Sequence, residues 1–269
     1  MKPDVVPENL KNPINYKILA LIFVSALTFQ SILYFILESE SEKYEFIISI
    51  ISFVNPLATS IASFVIWKRY GGTLVFGRAY FFLGMAYFMV FAAELTYLIY
   101  DLVLNIDPYP SIADIFFFAL YPFTLIHLIL NIKFFKLKIL QTEKKWLFII
   151  PIFIIITYVL STILSTILST SENPEGYFSF DFFYGLIFTI GSAITLAFAI
   201  LGAKIFKEGA LGTVWLLLVI GILVNTIGDV WYYHLEIFEQ YDLMHPVNIF
   251  WYSSYWLMVY ALYRHKKEM

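Results

Sequence analysis

The chain contains no cysteine and few charged residues. None of its 269 residues is Cys, which excludes disulfides, thiol catalysis and Cys-ligated zinc or iron–sulfur sites. Charged side chains make up 14% of the chain and hydrophobic ones 61%, against about a quarter and about a half in a soluble domain. The mean hydropathy of +0.79 and several apolar runs of about 20 residues predict an all-α polytopic membrane protein.

Motifs that build catalytic or cofactor sites are also missing. The chain has neither His-Glu-x-x-His nor Gly-x-Ser-x-Gly, and it has no Gly-rich phosphate-binding loop. No apolar run contains Lys beyond Lys17 at the very start of the first one, which argues against a retinal Schiff base. We therefore predict a protein that is not an enzyme, that needs no cofactor and that binds no nucleic acid.

The apolar runs predict eight transmembrane helices. The first run has a weakly basic flank and no small-residue cleavage pattern, so we interpret it as a retained span and not as a signal peptide. The predicted spans are residues 17–37, 46–67, 78–104, 112–132, 146–168, 178–203, 211–235 and 247–263.

Charge divides the loops between these spans into two groups. The N-terminal tail, the loops after spans 2, 4 and 6, and the C-terminus hold 16 of the 17 basic residues. The loops of the other side hold only Lys43, together with several acidic residues such as Asp107 and Asp242. Because basic loops stay in the cytoplasm, both termini are predicted to be cytoplasmic, in the cell membrane.

Two segments, 69–126 and 204–260, align with each other as an internal repeat. A shift of 135 positions places Glu94 on Asp229, and a shift of 134 places Asp114 on Asn248. The aligned residues share their chemical class at polar positions inside apolar helices, which a chance match of apolar runs does not produce. With four spans in each copy, both copies have the same orientation, so we predict a 4+4 parallel repeat.

The repeat defines the predicted domain organisation. Residues 1–16 form a cytoplasmic tail, 17–132 the first four-helix half, 133–145 a basic linker, 146–263 the second four-helix half and 264–269 a second tail. Since only six residues follow the last span, we expect any cytoplasmic output to come from a separate partner protein.

Glu94 and Asp229 are the first candidates for a functional site. Each lies about six to ten residues from the outer end of its span, on the order of 9–15 Å deep. An ionisable group near the bilayer centre costs about 2.5–3.5 kcal/mol, so it requires a partner, water or a cationic ligand. The alternative is a neutral carboxyl that makes one hydrogen bond between helices.

Further polar residues share helix faces with these two acids. They predict an outward-facing pocket of carboxyls, amides and phenols that binds an unknown small ligand. An aromatic belt at the membrane interface would explain the same Tyr residues. The predicted ligand-binding residues are Glu94, Asp229, Asp114, Asn248, Tyr97, Tyr121, Asn225, Tyr232 and Tyr255.

Helix capping offers a second explanation for two members of this set. Ser111 followed by Asp114 fits a capping box at the start of span 4. Pro246 is predicted at the first position of span 8, just before Asn248. His234 and His245, beside the acidic outer loop, are weak candidates for a metal site, because their spacing matches no known ligand pattern.

The run from Tyr100 to Phe116, with Pro110-Ser111-Ile112-Ala113-Asp114 and the later Tyr121-Pro122, resembles the multi-span N-terminal sensory region of some bacterial diguanylate cyclases and phosphodiesterases. The stretch 228–232, Gly-Asp-Val-Trp-Tyr, is similar to the second half of those regions. This resemblance implies a membrane sensory module. The resemblance does not extend to the catalytic domains of those proteins, for which this chain has no matching segment.

The leading hypothesis is an eight-span sensor or ligand-binding module that signals to a cytoplasmic partner. A small secondary transporter with its substrate at the repeat interface is the first alternative, but Pro56, Pro122 and Pro151 do not pair between the halves as broken helices would. A structural subunit of a larger membrane complex is the second alternative.

Overall fold

The computed structural model describes residues 15–37, 41–73, 75–136, 140–168, 179–207, 209, 211–238, 241 and 245–268. Within these ranges the chain is helical and contains no strand. Eight of its helices are long, and the short α5 lies between the fourth and fifth of them. The helices are α1 Tyr16–Leu37, α2 Ser41–Arg69, α3 Phe76–Leu98, α4 Ile112–Phe135, α5 Gln141–Lys144, α6 Trp146–Leu168, α7 Phe180–Phe206, α8 Gly212–Ile237 and α9 Asn248–Glu268.

The predicted all-α fold is confirmed, and each predicted span coincides with one long helix. Six of the helices in the described residues are long and apolar enough to cross a membrane. The apolar stretch of α1 whose side chains are described runs from Tyr16 to Ile32, and α9 contains more polar residues. The six are Phe46–Arg69, Phe76–Val103, Ile112–Phe135, Gln141–Leu168, Phe180–Phe206 and Gly212–Ile237.

Six of the long helices pack in a closed ring. Going round the ring, α2 packs against α3, α3 against α4, α4 against α7, α7 against α8, α8 against α9, and α9 against α2. Helix α1 packs outside on α9, and α6 packs outside on α7. The helices of the predicted first and second halves therefore meet at two seams of the ring, α4 with α7 and α9 with α2.

Burial differs strongly between the inner and the peripheral helices. Of the 18 residues in the most apolar stretch of each helix, 61% are buried inside the protein in α8 and 17% in α6. Helix α6 exposes large apolar side chains such as Phe153 and Leu164, as expected for a surface in contact with lipid. Helix α8 is therefore the element around which the interior of the bundle is built.

The end of the bundle that carries the basic loops is closed by aromatic packing and polar contacts. Trp215 is fully buried and stacks on Phe206, with the ring centroids 4.4 Å apart. The Arg69 guanidinium donates a hydrogen bond of 2.7 Å to the Lys266 carbonyl and so joins α2 to α9. We call this end the basic end and the opposite end the outer end.

The outer end of α3 unwinds before the loop that leads to α4. Residues Ile99–Val103 form a π-helical turn, and Asn105 has a φ of 52°, a value that Asn adopts more readily than most residues. α4 then begins at the Ser111–Asp114 capping box. This loop places Tyr109 and Asp114 beside the start of α7.

Candidate ligand-binding site

Asp229 lies at the centre of a hydrogen-bond network inside the ring. Its Oδ2 accepts hydrogen bonds from Tyr121 Oη at 3.0 Å, Ser192 Oγ at 3.0 Å and Asn225 Nδ2 at 2.7 Å. Its Oδ1 accepts one from Trp251 Nε1 at 3.0 Å. Four donors on a buried carboxyl replace part of the hydration that it loses on burial.

The donors to Asp229 come from four helices. Asn225 is one turn away on α8, Tyr121 lies on α4, Ser192 on α7 and Trp251 on α9. Tyr121 belongs to the predicted first half, and the other members belong to the second. The network therefore joins the two groups of helices across the α4–α7 seam.

Glu94, which the sequence aligns with Asp229, has a different environment. It is only half-buried, and within the described part of the chain its carboxyl has no hydrogen-bond partner. It lies close enough to Tyr97, Tyr241 and Tyr255 to interact with them electrostatically. The two aligned acids are thus not equivalent. Asp229 accepts four hydrogen bonds, whereas Glu94 has phenols nearby that do not hydrogen-bond to it.

Asp114 has two roles, and the capping interpretation accounts for only one of them. Its Oδ2 accepts the Ser111 backbone N–H at 2.6 Å, and the Ser111 side chain accepts the Ala113 N–H, which confirms the capping box. Its Oδ1 accepts a 2.7 Å hydrogen bond from Tyr184 on α7, and the Tyr97 hydroxyl lies 3.5 Å away. Asp114 therefore caps α4 and also joins it to α7.

A second phenol–carboxylate pair lies beside Asp114. The Tyr109 hydroxyl donates a 2.7 Å hydrogen bond to Asp181 at the start of α7, and the Tyr109 ring meets the Tyr184 ring edge-on at 5.1 Å. Burial and the hydrogen bond to Asp181 raise the pKa of Tyr109, which keeps its phenol a donor. We call Tyr97, Tyr109, Asp114, Asp181 and Tyr184 the outer cluster.

The start of α9 brings in the remaining predicted residues. Asn248 is buried and accepts a 3.3 Å hydrogen bond from the Tyr241 hydroxyl. The Tyr232 ring lies 4.8 Å from that of Tyr241 and 5.2 Å from that of Trp251. Tyr255 is buried one turn deeper on the same face of α9 as Trp251 and contacts the ring of Tyr87.

At the outer end the structure differs from one sequence-based prediction and places both histidines. Pro246 does not open α9, because the helix begins at Asn248 and the His245 ring accepts the Val247 N–H at 3.2 Å in a preceding turn. His234 lies 3.3 Å from Ser165 of α6. Across the described ranges no group of three or more His, Asp or Glu residues is placed to hold a metal ion; Glu239 and Asp242 lie outside those ranges.

A small cavity of about 20 Å³ lies beside the Asp229 network, on the side of the basic end. This volume has room for about one water molecule. Its polar lining includes Tyr87, Tyr121, Thr124, Ser192, Asn225 and Thr226.

Several residues of the site were not predicted from the sequence. Ser192 and Tyr184 lie on α7, where the internal repeat is too weak to mark them, and Tyr109 lies in a loop. One signal was available for Ser192: Thr189, Ser192 and Thr195 follow one another at helical spacing, and all three are buried. A buried stripe of hydroxyls inside an apolar helix indicates a face turned towards polar partners.

Comparisons of the chain with protein-family models, with curated proteins and with solved structures found no match.

Replacing Asp229 by Asn should destabilise the protein. The amide keeps one acceptor oxygen but turns an NH₂ group towards donors, so at least one buried donor loses its partner, at a cost of about 1–3 kcal/mol. Glu94→Gln breaks no hydrogen bond within the described structure and should change the unfolding free energy by less than about 0.5 kcal/mol. Unfolding in mild detergent compares the two variants; equal effects would contradict the central position of Asp229.

Proposed function

We propose that this protein is an integral membrane sensory module that binds a small ligand between two four-helix halves and signals to a cytoplasmic partner. The observation that carries this proposal is the Asp229 network, which gathers donors from α4, α7, α8 and α9. A buried carboxyl shared by helices of both halves responds to any change in how the halves pack. The resemblance to sensory regions of bacterial signalling enzymes supports the same class.

The 4+4 parallel repeat is part of the proposal. It is supported by the order of helices in the ring, which stays the same when α2, α3 and α4 are exchanged with α7, α8 and α9. Both seams then become equivalent, since α4–α7 exchanges with α9–α2. A two-fold axis along the membrane normal would then pass through the ring, with the candidate site close to it.

The ligand we propose carries a positive charge or several hydrogen-bond donors. The outer cluster contributes two carboxylates, Asp114 and Asp181, and Glu94 lies among the phenols near it. In the sequence the outer loops hold one basic residue, Lys43, against many acids. Aromatic faces beside carboxylates favour organic cations through charge and cation–π attraction. Phosphates and carboxylates would be repelled by the same surroundings.

The signal is proposed to leave through the basic end. There Arg69 of α2 is hydrogen-bonded to the carbonyl of Lys266 on α9, across the second seam. A ligand that changes the packing at the outer cluster would shift this seam, because each helix of the ring is in contact with the next. A cytoplasmic protein with an acidic surface would match the exposed basic loops.

The proposed orientation can be tested by cysteine labelling, for which a chain without cysteine is well suited. Ile106→Cys, in the exposed loop after α3, should react with a membrane-impermeant maleimide in intact cells. Lys207→Cys, in the exposed turn after α7, should react only after the membrane is opened. The reverse pattern, or equal labelling of both, would contradict cytoplasmic termini.

The sensor proposal is tested by mild crosslinking in native membranes, followed by affinity capture and mass spectrometry. The proteins to compare are the wild type, the Glu94→Gln/Asp229→Asn double variant, and Asp101→Asn, an exposed acid without a described side-chain hydrogen bond, as the control. A kinase, cyclase or regulator captured by the wild type and the control, and altered in yield by the double variant, is the expected result. Capture that is identical for the wild type and both variants would contradict ligand-dependent signalling.

A small transporter is the second candidate. The water-sized cavity beside Asp229, closed by side chains of α3, α4, α7 and α8, is the observation that favours it, since alternating access requires a site between the halves. Reconstituted vesicles would then show ion-coupled flux that the double variant abolishes. The absence of a captured partner together with such flux would replace the sensor by the transporter.

A further inference from the structure

A groove of about 490 Å³ lies on the outside of the ring, between α1, α2 and α9. Its volume is within the range of about 300–1,000 Å³ that is usual for ligand pockets. Helix α1 packs mainly on α9, so it leaves the groove open towards the lipid on the side of α2. None of the residues that line this groove belongs to the Asp229 network, apart from neighbours of Trp251 further along α9, or to the outer cluster.

The floor of the groove is the seam between α2 and α9, which two hydrogen bonds hold together. Trp256 Nε1 donates to Asn55 Oδ1 at 3.1 Å. Nearer the basic end, Arg69 Nη1 donates to the Lys266 carbonyl at 2.7 Å. These bonds set the spacing of α2 and α9 at two levels, so the groove is a feature of the seam itself.

The walls of the groove are mostly apolar and aromatic. The lining side chains of α9 recur at helical spacing and follow one face of the helix over about 10 Å. An apolar space of this size beside lipid does not stay empty, because its walls would lose their van der Waals contacts. The lining from α9 and α1 consists of Trp256, Val259, Tyr260, Tyr263, Ile18 and Ile22.

Exposed basic side chains from all three helices flank the groove at the basic end. Lys17 is in the first turn of α1, and Arg69 follows Ala58 of the groove on the same face of α2. On α9, Lys267 lies one turn beyond Tyr263. The N-terminus of α1 adds the positive end of a helix dipole at the same place. The mouth of the groove therefore carries a concentrated positive charge.

Little negative charge opposes these cations in the described part of the chain. Among the side chains described at the basic end, Glu143 is the one acid, and it lies on α5 in a salt bridge with Lys136. Lysine and arginine side chains form strong, charge-assisted hydrogen bonds with phosphate groups. A molecule that joins an apolar chain to an anionic phosphate group is complementary both to the walls of the groove and to its mouth.

We propose that the groove binds one anionic phospholipid from the membrane leaflet at the basic end. One acyl chain lies along the apolar face of α9, and Lys17, Arg69 and Lys267 bind the phosphate group. Basic pockets between membrane helices are usual places for anionic lipid head groups. The bound lipid fills the space that α1 leaves over the α2–α9 seam and so fixes α1 to the ring. This inference does not depend on which ligand the outer site binds.

Native mass spectrometry of the full chain, released from mild detergent, tests the proposal. The protein is titrated with phosphatidylglycerol, or with phosphatidylcholine that carries the same acyl chains. Each cation near the membrane surface strengthens the binding of an anionic lipid roughly fivefold. One phosphatidylglycerol per chain should therefore be retained at a concentration at least tenfold lower than phosphatidylcholine requires.

The mouth of the groove is tested by removing its lysines. Lys17→Gln/Lys266→Gln/Lys267→Gln removes three exposed cations and should weaken the binding of phosphatidylglycerol at least tenfold. The matched control removes three exposed lysines around α5, at the same end of the protein but away from the groove, and should bind as the wild type does. The control variant is Lys133→Gln/Lys144→Gln/Lys145→Gln.

The apolar part of the groove is tested by filling it. Ala58 lines the groove and is exposed, so Ala58→Trp should occupy the space of the acyl chain and abolish lipid retention. Ile61→Trp, at an exposed position of α2 that does not line the groove, is the matched control and should retain the lipid.

Three results would overturn the proposal. They are equal retention of the two lipids by the wild type, equal loss of phosphatidylglycerol in both triple-lysine variants, and wild-type retention by Ala58→Trp. A lipid-free dimer of the wild type would assign the groove to a second copy of the chain and would also overturn it. The triple-lysine and Ala58→Trp variants change different parts of the site, so either one decides if the other does not fold.

Discussion

The structure depends on one constraint, the burial of the Asp229 carboxyl inside an apolar bundle. A carboxylate in that position is stable only when protein groups replace its hydration. Tyr121, Ser192, Asn225 and Trp251 provide that replacement, and they can do so together only when α4, α7, α8 and α9 are correctly positioned. The hydrophobic packing of the ring alone would tolerate many small displacements of these helices, whereas four directed hydrogen bonds on one side chain do not.

This constraint also links the regions on the two sides of Asp229. On the outer side of Asp229 lies a cluster of phenols and carboxylates, in which Asp114 joins α4 to α7 through Tyr184. On the side of the basic end lies the small cavity that Thr124 and Ser192 help to line. A change in either region alters the donors available to Asp229. The carboxyl therefore connects the packing of the outer end with the packing of the interior.

Much of the fold could be predicted from the sequence, because apolar runs and aligned polar residues can be recognised without knowing which residues are in contact. The helix positions, the capping box at Ser111 and the position of Asp229 inside an apolar helix could be predicted in this way. The partners of Asp229 could not, since Ser192 and Trp251 become neighbours only through packing between helices distant in sequence. The repeat also suggested that Glu94 and Asp229 are equivalent, but their different neighbours, an open group of phenols and a complete set of donors, make them unlike.

The most direct test of the central position of Asp229 is a double-mutant cycle with Tyr121→Phe and Asp229→Asn, measured as the free energy of unfolding in a bilayer or mild detergent. Because these residues join helices of the two predicted halves, the account predicts a coupling energy on the order of 1 kcal/mol, at the upper part of the range for hydrogen bonds between membrane helices. Effects that add within about 0.3 kcal/mol would contradict it, since independent sites behave in that way.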